Sequence, residues 1–147
     1  MHRLPMCLVA VVALAFADKS PNLSGKWTLN KDLSEFARGV PDSMTAVITD
    51  DGTKIHMVQT VNGQDTDLTV VRGEESVNRI GEMEMRTKLA VDGDKLLEDT
   101  TFTGPQGTVT RKSVLTMSPD GKRLTLDGDY NSPGGAFHDK IVLDKAD

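Results

Sequence analysis

Four polar residues in the C-terminal half of this 147-residue chain have the types and spacing of a binding site: Glu98, Arg111, Tyr130 and Asp139. Each sits in a run that alternates apolar and polar residues, and each falls on the apolar side of its run. Glu98 shares that side with Leu96 and Phe102, Arg111 with Leu115, Tyr130 with Leu126, and Asp139 with Phe137 and Ile141. A charge facing an apolar interior is costly unless it is paired or solvated. Three readings follow. The belt is a solvated rim where a tilted barrel opens, or an internal ion pair with trapped water, or the polar pole of a ligand cavity. In the third, Arg111 fixes an anionic or polar head group while Met83, Met85, Phe102 and Phe137 hold the apolar part.

Catalytic constellations are largely missing. Beyond the first seventeen residues the only histidines are His56 and His138, both on the polar side of their runs, so an internal haem or zinc site is disfavoured. There is no cysteine in that region and no Gly-x-Ser-x-Gly. Glu98 and Asp139 resemble a hydrolase carboxylate pair in type alone, since such sites line an open cleft rich in aromatics. The Asp-Gly pairs at 51, 92 and 120 are turn chemistry, with no further acids at calcium-loop spacing. The chain calls for no catalytic residue, metal or cofactor.

The elements that must position these residues are strands. Alternating runs at 83–91, 94–103, 108–117, 122–130 and 136–144 are separated by short Gly-, Pro- and Asp-rich turns. Tight hairpins put Leu89, Leu96, Leu115, Leu126 and Ile141 in one apolar row. The same register sets Arg86, Asp99, Lys112, Asp129 and His138 in a row of largely alternating sign on the other face, where opposite charges across a pair are favourable. It also makes a layer of Thr87, Glu98, Ser113, Gly128 and Asp139, in which the small Ser113 and Gly128 leave space. Residues 22–29 read as a first strand. Residues 43–49 and 53–61 pair about Asp51-Gly52, with Ile48 opposite Ile55 and Ala46 opposite Met57. Asn62-Gly63 then turns the chain so that Met57 meets Leu68 and Ile55 meets Val70. A short strand is expected near 76–80, with turns at Gly73 and Gly81. Residues 30–42 hold at most one helical turn, with Phe36 able to plug a barrel end. Hairpin-only connections favour an all-β, antiparallel up-and-down meander closed into an eight- to ten-stranded barrel, wide enough to be filled or to hold one small ligand.

Residues 1–17 read as a signal peptide: a basic start, an apolar run from Leu4 to Phe16, and a small-x-small site at Ala15-Phe16-Ala17. The run is too short to be an integral membrane span. Its removal would leave residues 18–147 as a single domain without cysteine, which suits a periplasmic or secreted, bacterial protein. Without Arg3 the balance is 16 Lys+Arg against 22 Asp+Glu, with the basic residues scattered singly. That distribution, with 4% aromatics, offers nucleic acid neither a charged footprint nor a stacking surface.

Leu23-Ser24-Gly25-Lys26-Trp27, at the head of the first strand, resembles the Gly-x-Trp opening of the calycin superfamily. Lys31-Asp32-Leu33-Ser34-Glu35-Phe36 extends the likeness to small exported bacterial lipocalin-like proteins. The resemblance implies a barrel with Trp27 plugging its closed end, and a bound small amphipathic or hydrophobic ligand. The single tryptophan departs from the biotin-binding avidins, and the short 30–42 loop departs from the helix pair of fatty-acid-binding proteins. The competing expectation is a filled barrel serving as a structural or interaction module.

Overall fold

A computed structural model describes residues 20–146; the expected leader lies outside them. Ten strands follow one another: β1 (Gly25–Leu29), β2 (Met44–Asp50), β3 (Lys54–Val61), β4 (Gln64–Val71), β5 (Glu75–Ile80), β6 (Met83–Asp92), β7 (Lys95–Gly104), β8 (Gly107–Met117), β9 (Arg123–Ser132) and β10 (Gly135–Lys145). They make one antiparallel sheet in the order β4-β3-β2-β1-β10-β9-β8-β7-β6-β5. Sequence neighbours pair throughout, except β4 with β5, and the β1–β10 ladder brings the two halves together. The all-β meander is as the sequence pattern implies, and the strand count is at the upper end of the expected range.

Two hairpins differ from the expected register, each by two residues. Leu89 faces Glu98 rather than Leu96, which faces Val91 instead. The reversal falls on Gly93-Asp94, not Asp92-Gly93, because Gly93 takes the left-handed first position of the turn at φ 61°. In the second hairpin Ile48 pairs with Met57 and Asp50 with Ile55, so Ile48 does not face Ile55. The Asp51 carboxylate accepts from the N–H groups of Thr53 and Lys54 at 2.9 and 2.7 Å, and so draws a longer turn out of the strands. A two-residue slide keeps every side chain on its face, so the apolar interior survives both corrections. The outer row keeps its alternation too, with Lys88 in place of Arg86 opposite Asp99. Asn62-Gly63, with both residues at positive φ, turns as expected and pairs Met57 with Leu68.

The wall is not fully closed. β4 and β5 share no backbone ladder, and side chains span the seam in its place. Asn78 on β5 accepts from the Thr69 N–H at 3.0 Å and returns its own amide N–H to the Thr69 carbonyl at 2.9 Å. The Ser76 hydroxyl accepts from the Val71 N–H at 2.9 Å. One end of the seam is tied by Gly73, whose N–H donates to the Leu89 carbonyl at 2.8 Å.

Trp27 is fully buried, and its indole N–H donates to the Leu23 carbonyl at 2.9 Å. The Lys145 ammonium stands 5.7 Å from its ring centroid. Beside this end, β1 is short, and residues 31–33 bulge out before Glu35 rejoins the wall, exchanging both backbone hydrogen bonds with Lys140. Phe36 then packs against the core. The core itself runs through Leu23, Ile48, Ile55, Leu89, Leu96, Leu115, Leu124, Ile141 and Leu143, and gathers both halves of the chain around one interior.

Candidate functional site

Inside the barrel lies a cavity of about 160 Å³. Its wall is mostly apolar, with Ala46, Ile48, Met57 and Val70 from the N-terminal strands facing Leu115, Leu126 and Ile141 from the C-terminal ones. Three polar side chains border it: Gln59, Glu98 and Arg111. β7 brings Glu98 and β8 brings Arg111 to neighbouring layers of one face, two residues apart in register, because Glu98 lies opposite Ser113 and Arg111 opposite Thr100. That diagonal is within reach of a long side chain.

Arg111 meets Glu98 through Nε at 2.8 Å and Nη2 at 2.5 Å, and its Nη1 donates to the Tyr130 hydroxyl at 3.2 Å. Both side chains of the pair are 14% exposed. Burial works to lower the Arg111 pKa, but the Glu98 carboxylate and the Tyr130 hydroxyl outweigh it and raise the value above that of a free guanidinium. Arg111 therefore keeps its charge next to an apolar space.

The remaining residues expected at this site sit around it rather than on its lining. Tyr130 stacks on Phe137, centroids 4.5 Å apart, and the Arg38 guanidinium covers the Phe137 ring at 4.1 Å. Phe102 lies 5.3 Å from the Arg111 guanidinium, and Met85, opposite Phe102, is buried. Met83 is half-buried beyond it, against Gly104. Asp139 keeps its expected place opposite Gly128, in the layer of Ser113 and Glu98, but its carboxylate accepts from the Ala37 N–H at 2.9 Å and anchors the segment after β1. Thr87 moves out of the Glu98 layer with the register correction and pairs its hydroxyl with Thr100 at 3.2 Å, both fully buried. The space expected beside Gly128 is taken by Ser113, whose Oγ lies 2.7 Å from where a Gly128 Cβ would stand.

The lining also contains residues that the hairpin register does not place opposite Arg111, chiefly Met44, Met57, Gln59 and Val70. Their inward side is plain from alternation, but they reach Arg111 only across the barrel, and hairpin pairing carries no cross-barrel distance. His56 and His138 are both on the outer face, bound to Asp67 and Asp129 at 2.7 Å each.

A second buried pair stands at the Trp27 end. Arg72 grips Asp50 with two hydrogen bonds, 2.6 and 2.8 Å, and donates a third to the Pro21 carbonyl at 2.8 Å. Asp50 also accepts from the Leu23 and Gly52 N–H groups, both at 2.9 Å. Burial pushes the Asp50 carboxyl up, but Arg72 and the two N–H groups together hold it below the usual carboxylate value.

With one polar pole in an apolar interior and a sequential ten-stranded wall, the chain shares its barrel fold with several solved structures. Among similar solved structures is a "REP1-NXSQ fatty acid transporter" (18% identity, TM-score 0.62, covering 85% of this chain and 96% of that one). A second is a "secretary abundant heat soluble (SAHS) protein" from Ramazzottius varieornatus (19%, 0.64, 84% and 94%). A third is zebrafish ileal bile acid-binding protein, in complex with cholic acid (18%, 0.60, 84% and 98%). No family model and no curated protein matches the chain in sequence.

Proposed function

We propose that this protein is a non-enzymatic, exported barrel that carries a small, mostly apolar amphipathic molecule in its interior. The observation that carries the reading is the cavity, apolar on nearly every side and polar at one pole. The similar structures named for a fatty acid and a bile acid support it, since both ligands pair an apolar body with a polar end. At about 160 Å³ the space is roughly half the lower end of the ~300–1,000 Å³ usual for drug-sized ligands. The ligand is therefore short or slender, or the side-chain-bridged seam between β4 and β5 widens to admit a larger one. The leader read from residues 1–17 supports export.

Native mass spectrometry of protein purified from its own host tests the binding. A co-purifying small molecule is expected, and it should be lost in Ala46→Phe, which fills the cavity from β2 while circular dichroism shows the barrel intact. Wild-type protein that carries nothing, and that binds an environment-sensitive apolar dye no better than Ala46→Phe does, would sink the reading. Export is tested separately, by N-terminal sequencing of secreted material, which should begin at Asp18.

A further inference from the structure

The polar pole of the cavity already contains one full charge of each sign. A guanidinium has five N–H donors. In Arg111 one N–H each from Nε and Nη2 faces Glu98, and one from Nη1 goes to Tyr130. The second hydrogens of Nη1 and Nη2 remain. On Glu98, Oε1 receives both contacts from Arg111, while Oε2 has no hydrogen bond among the described residues. Directly opposite Glu98, the Ser113 hydroxyl is buried and also lacks a partner among them. The pole thus offers free donors beside a free acceptor, and its net charge is zero.

We propose, on the ligand-binding reading above, that this cavity selects an amphipath whose head group is uncharged and both donates and accepts a hydrogen bond, such as a primary alcohol, over the ionised carboxylate of the same chain length. A hydroxyl gives its proton to Glu98 Oε2 and accepts from Arg111. An ionised carboxylate has acceptors only. It would engage Arg111 but set a second negative charge beside Glu98 in a poorly solvated site, and it would leave Oε2 without a donor. Arg111, read from the sequence as a clamp for an anionic or polar head, is in the folded chain already clamped by its own acid.

Isothermal titration of the full chain at about pH 8 with decan-1-ol, decanoate and methyl decanoate tests this. The alcohol should bind about tenfold or more tighter than decanoate, and tighter than the ester, which is more apolar but has no donor. Glu98→Gln should tighten decanoate about tenfold or more and move the alcohol little, because it removes the competing charge and frees Arg111. If Glu98→Gln does not fold, the double change Glu98→Gln with Arg111→Gln replaces it. That protein has no charge at the pole and should keep the alcohol while gaining nothing for decanoate. Wild-type protein that holds decanoate as tightly as the alcohol, or a folded Glu98→Gln with no gain for decanoate, would overturn the inference and leave the carrier reading standing. If none of the three compounds binds or displaces the dye, the carrier reading itself falls.

Discussion

The barrel buries two arginine–carboxylate pairs, and they are built differently. At the Trp27 end, the Asp50 side chain is fully buried and that of Arg72 is 8% exposed. Asp50 is saturated: two bonds from Arg72 and two from backbone N–H groups fill its oxygens, and Arg72 spends a further donor on the lead-in at Pro21. The interior pair, Arg111 with Glu98, is less enclosed, borders the cavity and leaves one carboxylate oxygen and two N–H groups open. The first pair sews the residues before β1 to the β2–β3 turn and to the end of β4. Arg72 Nε is also buried without a partner among the described residues, but it does not line the cavity; the second pair has its spare capacity beside that space. Burial of charge alone does not mark a site, then; unfilled hydrogen-bonding capacity next to a space does.

Four measurements break or sharpen that contrast. The largest effect is expected for Arg72→Met, which leaves Asp50 charged, buried and without its cation. Urea unfolding should show a loss of about 3–5 kcal/mol. Arg111→Met should cost less, about 1.5–3 kcal/mol, because the carboxylate it strands is less enclosed than that of Asp50. Equal losses would show that the two pairs are energetically alike.

Acid should separate them next. Asp50 has a folded-state pKa below its ordinary value near 3.8, so its contribution is present above that value and is lost as pH falls through the lowered one. The gap between wild type and Arg72→Met, measured by urea midpoint, should therefore be full at about pH 7 and should close below about pH 4. A gap that persists undiminished at about pH 2 would mean that the carboxylate charge is not what Arg72 serves.

A smaller change acts on the cavity side alone. Gly128→Ala puts a methyl group 2.7 Å from Ser113 Oγ and 3.6 Å from the aliphatic stem of Arg111. It should cost about 1 kcal/mol in stability yet weaken ligand binding, since Ser113 must turn towards the pole. The smallest effect is expected at His138, exposed on the outer face between Asp127 and Asp129. Hydrogen bonding to Asp129 and the nearby Asp127 charge raise its pKa above 6.5. Its contribution is therefore present below that value and lost as pH rises through the raised one. His138→Gln should lower the urea midpoint slightly at about pH 6 and not measurably at about pH 9.

Much of this architecture is legible in the residues. Alternation assigns every site residue to a face, because the side-chain period of a strand is two and a wrong turn by two positions leaves the face unchanged. That is why the Leu89 and Ile48 registers slide without disturbing the interior, and why Arg111 and Glu98 meet as their diagonal implies. Turn geometry is less legible. Both Asp92-Gly93 and Gly93-Asp94 suit a tight reversal, and the choice depends on which residue takes the positive φ. What hairpin reasoning lacks is distance across the barrel. Gln59 and Met44 reach the cavity only after the sheet has curled through ten strands. The Asp139 carboxylate is lost from the pole to the backbone of Ala37, in a segment without periodicity to read. The side-chain seam is also invisible, since Asn78 and Ser76 are ordinary strand residues until the ladder beside them fails.

That seam determines how the chain could be rewired. With no ladder between β4 and β5, the wall is a strip whose two borders are those strands and whose middle is the β1–β10 contact. Each of the other ladders joins strands adjacent in sequence. Only β1–β10 joins distant parts of the chain, Trp27 with Lys145. A circular permutant that starts at β5, runs on through β10 into β1 by a short linker and stops at β4 would keep the same strip with every ladder local. The single long loop closure would shrink to that of a hairpin, lowering its entropic cost by about 2–3 kcal/mol, with faster folding as contact order falls. A cut between Gly73 and Glu74 would cross no strand ladder and would leave Arg72 at the end of β4 with its bonds to Asp50, Pro21 and the Thr53 carbonyl.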